Sequence, residues 1–319
     1  MNKTILAVLL FTVSAPGFAQ TWPNKPIRVI VGSAPGGAPD ILARSVAQKL
    51  TDSLGQQVVI DNRAGASGAI GAETTAKAAA DGYTLFLSTT MGFAILPNLK
   101  KTLPYDAIKD FASVTHLASA SNVLVINPAV PAKSVSDLLQ LAKSKPGTLN
   151  YGSAGSGSPA HLAGEMLNMM AGVRMTHVPY KGAAPALLDV IAGQVQFIVT
   201  SPISAGPHIT SGRVRALATT GSKRNPALPD LPTVADSLPG FEITQWWGLS
   251  APSRTPRAVI DRLHAEAAKA INMPDVRERI ARDGAIAVGG TPREYDALIV
   301  AERKRFGEVI RKAGIRPED

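Results

Sequence analysis

The feature that most restricts the fold of this chain is a unit of strand, glycine-rich turn and helix that occurs twice, about 110 to 120 residues apart. In the first copy the apolar run Ile27 to Val31 leads through "GSAPGGAP" into a helical pattern from about Asp40 to Leu54. Val58 to Asp61 is a second strand, "NRAGASGAIGAETTAKAAADGY" supplies another glycine loop and helix, and "TLFLSTT" (84–90) is a third strand. Residues 149 to 202 repeat the order. "LNYGSAGSGSPAHLAGEMLNMMAG" is strand, Gly/Ser turn and helix, "RMTHVPYKGAAPALLDVIAGQ" is a second such unit, and "VQFIVTS" ends in hydroxyl residues as the earlier strand does.

Alternating strands and helices of this kind build parallel α/β sheets, whose ligands lie at the carboxyl ends of the strands. Two α/β lobes facing each other across such ends enclose a cleft. "SNVLVINPAVPAKSVSDLLQLAKS" opens the second lobe, and after Leu231 come Pro-rich turns, "FEITQWWGLSAP" and amphipathic helices near 256–272 and 292–313. The expected plan is a discontinuous first lobe (20–121 plus 242–319), a second lobe (122–241) and two crossing strands as hinge.

Residues 1–19 read as a secretory leader: Lys3, an apolar run from Ile5 to Val13, and the small-x-small site Gly17-Phe18-Ala19. The run is too short for a membrane span, and no later stretch is long and apolar enough for one. The chain has no cysteine, which removes disulfides, thiolate chemistry and cysteine-held metals. Its net charge of +9 is dispersed and only 5% of residues are aromatic, so a nucleic-acid surface is not indicated. A basic excess is compatible with an anionic small ligand.

Both glycine turns suit an anion, because the first N–H groups of a helix lack internal partners and carry the positive end of its dipole. Gly36, Gly37 and Pro39 shape the first; Gly155, Gly157 and Pro159 shape the second, with Ser153, Ser156 and Ser158 as hydroxyl donors. Asp40 is favoured as a residue that braces its turn, since a carboxylate aimed at an anion repels it. Neither turn has the Gly-Lys-Ser/Thr of a triphosphate loop. Gly155 to Ala160 fits dinucleotide spacing but lacks the acidic residue downstream. "GASGA" (65–69) approaches a hydrolase elbow but ends in alanine. Of five histidines, only His161 and His177 are placed near the cleft, and no cluster suggests a metal.

The runs "PGGAPDILAR", "VVIDNRAGASGAIGAETTAKAAADGYTLFLS", "LPYDAIKDFASVTHLA", "PGTLNYGSAGSGSPAHLAGEML", "HVPYKGAAPALLDVIAGQV" and "LPDLPTVADS" resemble the Bug proteins, the TctC-like extracytoplasmic solute receptors of tripartite tricarboxylate transporters. The likeness spans the mature chain in order. It implies a two-lobed periplasmic binding-protein fold (type II-like), a small organic acid as ligand (a di- or tricarboxylate or an aromatic carboxylate), no cofactor, and a monomer delivering to a two-component membrane permease. By the resemblance the ligand is held by Gly36, Gly37 and Ala38 with Asp40, by Ser153, Gly155, Ser156 and Gly157 with His161, by the strand ends Thr89, Thr90, Thr200 and Ser201, and by Tyr180.

Two stretches depart from the usual family text: "TMGFAIL" after "YTLFLST" and "SPISA" after "VQFIVT". Met91 and Phe93 either add apolar surface to the site or pack beneath it. Of Trp246 and Trp247, the second is assigned to the cleft and the first to the hinge-side core. Arg63 and Lys181 are the cations nearest the site, as ligand partners or as loop-holding ion pairs. An exported α/β hydrolase and a ligand-presenting sensor remain as alternatives to a transport receptor.

Overall fold

A computed structural model describes residues 22–316 except 181, 227 and 283, and except the side chain of Ile203. The leader read at 1–19 and Lys181 lie outside the described residues. In chain order the strands are β1 (Ile27–Val31), β2 (Val58–Asn62), β3 (Thr84–Thr89), β4 (Phe111–Ser121), β5 (Val123–Ile126), β6 (Asn150–Ser153), β7 (Thr176–Pro179), β8 (Phe197–Thr200), β9 (Arg215–Thr219), β10 (Thr244–Pro252) and β11 (Ala285–Gly290). The helices are α1 (Ala38–Leu54), α2 (Ala69–Ala76), α3 (Leu96–Leu99), α4 (Val135–Ser144), α5 (Pro159–Ala171), α6 (Ala183–Ile191), α7 (Pro202–Thr210), α8 (Arg257–Ile271), α9 (Pro274–Arg282) and α10 (Pro292–Lys312).

These form two sheets. The first has the order β11-β4-β10-β3-β1-β2 and the second β7-β6-β8-β5-β9. β1 is parallel to β2 and β3, and β6 to β7 and β8, as βαβ units require. β10 runs antiparallel between β3 and β4, so the late part of the chain returns to the middle of the first sheet. The chain passes between sheets at Asn122 and again after β9. The segment α9–β11, which the periodicity reading passed over, adds the edge strand beside β4. Its strand "AIAVGG" is short and two-thirds glycine and alanine, which hides it from the apolar pattern.

The long helices α1 and α10 lie where their apolar spacing demands. α1 buries Leu42, Ala43, Val46, Ala47, Leu50 and Leu54 on one face and stops at Gly55, which takes the left-handed conformation (φ 67°). α10 begins with a capping box: Thr291 Oγ1 accepts from the Glu294 N–H while Glu294 Oε2 accepts from the Thr291 N–H. Its buried face (Tyr295, Ile299, Phe306, Ile310) belongs to one apolar cluster that runs from Phe86 and Phe93 of the first lobe to Tyr151, Leu162 and Phe197 of the second. Burying each large side chain contributes about 1.5–3 kcal/mol, so the lobes are joined by packing under α10 as well as by the chain crossings.

Candidate functional site

A cavity of about 290 Å³ opens between the lobes at the carboxyl ends of β1 and β3. Its walls come from the turn after β1 (Gly32, Ser33, Pro39), the glycine loop before α2 (Ser67, Gly68), and Phe86, Thr89 and Thr90 of β3 and its end. Met91 and Gly92 of the following π-helical turn, Gln245, Trp246 and Trp247 of β10, and Pro159 from the second lobe complete it. Pro39 and Pro159 are the second and first residues of α1 and α5, so the amino ends of one helix from each lobe reach the same hollow. None of the described residues lining it carries a formal charge.

Two of the residues lining this cavity, Ser33 and Trp246, each carry a buried polar atom, Oγ and Nε1, with no hydrogen-bond partner among the described residues. A buried donor left unpaired costs about 1–3 kcal/mol, and an unpaired donor in a cavity is a place for a ligand acceptor. The loop opposite is strained. Ala66 (φ 45°) and Ser67 (φ 56°) are the only non-glycine residues with positive φ among the described residues. The approach of the two loops is set by Gly32, where a Cβ would fall 2.8 Å from Gly68 Cα. A much larger hollow of about 730 Å³ lies at the far end of the first lobe, around Phe111, Thr255, Arg257 and Ile299. It takes nothing from the second sheet, whereas the smaller one joins both lobes and holds the unpaired donors.

Several residues assigned to the ligand from sequence form bonds within their own turns. Asp40 Oδ2 accepts from the Gly36 N–H (2.9 Å) and from Arg44 Nε (3.0 Å), while Oδ1 accepts from Asn62 Nδ2 (3.0 Å). Burial pushes its carboxyl up, but the bonds from Arg44, Gly36 and Asn62, with the Arg44 charge, outweigh that and hold it below the usual range. The Gly36 amide is thus spent within the turn, and neither Gly36 nor Gly37 lines the cavity; Ala38 borders a smaller one beside it. Thr90 Oγ1 accepts from the Trp246 N–H (2.7 Å) and Thr89 Oγ1 from the Gly92 N–H (3.1 Å), so both line the cavity while fastening its walls. Arg63 pairs with Asp61 at 3.0 Å.

In the second lobe, Ser153 Oγ accepts from the Gly155 N–H (3.1 Å), donates to the Gly155 carbonyl (3.0 Å) and meets His177 Nε2 at 2.6 Å. His161 Nδ1 accepts from the Gly157 N–H (2.9 Å), and its ring stacks on His177 with centroids 3.8 Å apart. Burial lowers the pKa of both rings, that of His177 to about 4 with help from His161. Ser153, Gly155, Gly157 and His161 are therefore bonded within their own turn, and among residues 153–161 Pro159 alone lines the cavity. Tyr180 donates its phenol to Asp189 Oδ2 (2.6 Å), Thr200 is buried in the ladder opposite Val123, and Ser201 borders the smaller cavity. The Ser153 hydroxyl thus has both the Gly155 carbonyl and His177 Nε2 within hydrogen-bond distance.

Sequence reasoning passed over Ser33, Ser67, Gln245 and the Trp246 indole. Ser67 was visible as the serine of "GASGA", and Ser33 as the first hydroxyl after β1. Of the aromatic pair, both Trp246 and Trp247 line the cavity, and it is Trp246 that brings an unpaired N–H. Met91 lines it too, whereas Phe93 is fully buried and stacks on Phe86.

The family model "Tripartite tricarboxylate transporter family receptor" (TctC) matches residues 42–315. The chain belongs to the TctC receptor family. Relatives agree with this along their whole length: the chain is 37% identical to Protein BugT of Bordetella pertussis over 99% of each sequence. Among solved structures, Rpa4515 of R. palustris, determined with adipate, superposes with a TM-score of 0.82 at 36% identity, covering 93% of this chain and all of that one. The periplasmic binding protein BugD superposes at 0.78 with 33% identity, covering 93% and 100%. This TctC receptor accordingly has the two-lobed α/β fold of periplasmic binding proteins, and its family and neighbours are solute-binding proteins rather than enzymes.

Proposed function

We propose that this receptor, exported by the leader at 1–19, captures a small organic acid between its lobes in the periplasm and delivers it, unaltered, to a two-component membrane permease. One observation carries the reading: a cavity without charged walls is reached by a helix amino end from each lobe and holds two unpaired buried groups, Ser33 Oγ and Trp246 Nε1. Such a site balances an anion with dipoles alone. Each helix end contributes about 0.3–2 kcal/mol to a bound charge, and each hydrogen bond to a carboxylate about 1.5–3 kcal/mol. Rpa4515, with adipate, supplies the ligand class. In this assignment Ser33, Ser67 and Trp246 receive one carboxylate, Met91, Phe86 and Trp247 flank the hydrocarbon part, and the α5 end faces the other pole. The two lobes, divided at Asn122 and near Phe241, close on the acid, and the closed form is what the permease reads.

A thermal-shift and calorimetric screen of aliphatic and aromatic mono-, di- and tricarboxylates tests this. One group of acids raises Tm and is recovered intact by NMR. Tm unmoved by every acid, or conversion of the bound acid, overturns the proposal.

A further inference from the structure

Directly beside the 290 Å³ cavity is a second one of about 70 Å³, bordered by Ala38, Leu42, Ala118, Ala120, Ile280 and Ala285 and by the second lobe's Ser201 and Pro202. The two share two wall residues, Trp247 and Gln245, and consecutive residues of one turn, Ala38 and Pro39, line one each. Gln245 Nε2 donates to Asn122 Oδ1 at 3.0 Å, which anchors the amide at the chain crossing. Trp247 is 6% exposed and packs in the cluster containing Leu42, Ala118, Ile280 and Ala285, four of the residues around the smaller cavity. Trp247 thus lines both the larger cavity and the small-residue pocket.

We propose that the smaller cavity is a closed-off apolar annex of the ligand site, and that Trp247 is the partition that sets the longest hydrocarbon chain the receptor accepts. The inference rests on the acid-receptor reading and deepens it. Three features support an apolar occupant. No described residue bordering the annex carries a charge. The alanines at 118, 120 and 285 leave room where larger strand residues would fill it. Of the three polar side chains bordering it, Asn122 and Gln245 already bond to each other, and the third is the hydroxyl of Ser201. A carboxylate held at Ser33 and Trp246 leaves its chain running along Trp247, toward Gln245 and the annex. Removing the indole merges the two spaces, and each additional methylene buried there raises affinity about fourfold.

The test measures affinities of unbranched monocarboxylates from four to ten carbons, with adipate as a reference, for wild type, Trp247→Ala and Trp247→Leu. The leucine variant keeps part of the core packing, so the measurement stands if the alanine variant does not fold. In the wild type, affinity drops at least tenfold within two carbons beyond its optimum. In either variant the optimum moves two or more carbons longer, and the longest acids bind at least tenfold tighter than to wild type. Adding Ala120→Leu to the variant fills the annex from behind and restores the wild-type limit. Length profiles of variant and wild type that superimpose, whether both fall or both are flat, overturn the partition while leaving the receptor reading intact. A wild type that takes no acid at all overturns the receptor reading itself.

Discussion

Asn122 and Thr220 stand 98 residues apart in the chain and bond to each other twice: the Asn122 N–H donates to the side-chain Thr220 Oγ1 at 2.9 Å, and the Thr220 N–H donates to the Asn122 carbonyl at 2.9 Å. The Thr220 hydroxyl also donates to the Ile243 carbonyl at 2.6 Å, and the Ile243 N–H donates to the Thr220 carbonyl at 2.9 Å. One buried threonine therefore ties together the two places where the chain passes from sheet to sheet, directly next to Gln245 and the tryptophans of the ligand cavity.

Thr220→Val keeps the shape and removes the hydroxyl. It leaves the Asn122 N–H without this acceptor in a fully buried setting, at a cost of about 1–3 kcal/mol. Chemical denaturation should give a lower midpoint with an unchanged slope, because the loss is in stability and not in the surface exposed.

Ser33→Ala separates binding from stability, and Trp246→Phe tests the second donor. Ser33→Ala removes a buried polar atom that has no partner among the described residues, so unliganded stability stays the same or rises, whereas Trp246→Phe also deletes part of a fully buried ring and lowers stability by the lost packing. Affinity for the acid falls about 10- to 100-fold for each, the worth of a hydrogen bond to a charged group. Calorimetry and a melting curve on the same variants check both quantities, and a fall of affinity and stability together in Ser33→Ala argues for a merely structural role of that serine.

Gly32→Ala addresses the loop contact that shapes the cavity. The added Cβ falls 2.8 Å from Gly68 Cα and 3.0 Å from the Gly68 carbonyl oxygen, both backbone atoms that no rotamer change can move. The 65–68 loop must shift, carrying Ser67 with it. We expect at least a tenfold loss of affinity and a Tm lower by several degrees, whereas Gly36→Ala, with no atom within 4 Å of its Cβ but φ at 83°, costs stability without displacing a wall.

The stacked histidines give a pH signature. Burial first, then the neighbouring His161, lowers the His177 pKa to about 4, against about 6.5 for an unfolded histidine. Between those values the unfolded chain binds a proton that the folded chain refuses, so stability decreases as pH falls from about 6.5 to about 4, by up to about 1.4 kcal/mol per pH unit. His177→Gln should flatten the slope of stability against pH by close to one proton in that window. His116, lowered to about 4 mainly by its burial, keeps its own contribution in the variant.

The amino-acid sequence by itself determined the two glycine-turn units and the extents of the long helices: the observed α8 and α10 match the amphipathic runs near 256–272 and 292–313. Those features are local, since hydrophobic spacing, glycine at the turn and a capping pair act within a few residues. The family, too, was legible, because its motifs are contiguous in the chain. Which atoms face the cavity was decided only by the tertiary structure. Gly36 and Asp40 satisfy each other, Ser153 and the histidines close on themselves, and Ser33, Ser67 and Trp246, 34 to 213 residues apart in the chain, line one cavity. A residue's type states what it can bond to. Only the packing of distant segments leaves one donor already engaged and another, equally polar, open to a ligand.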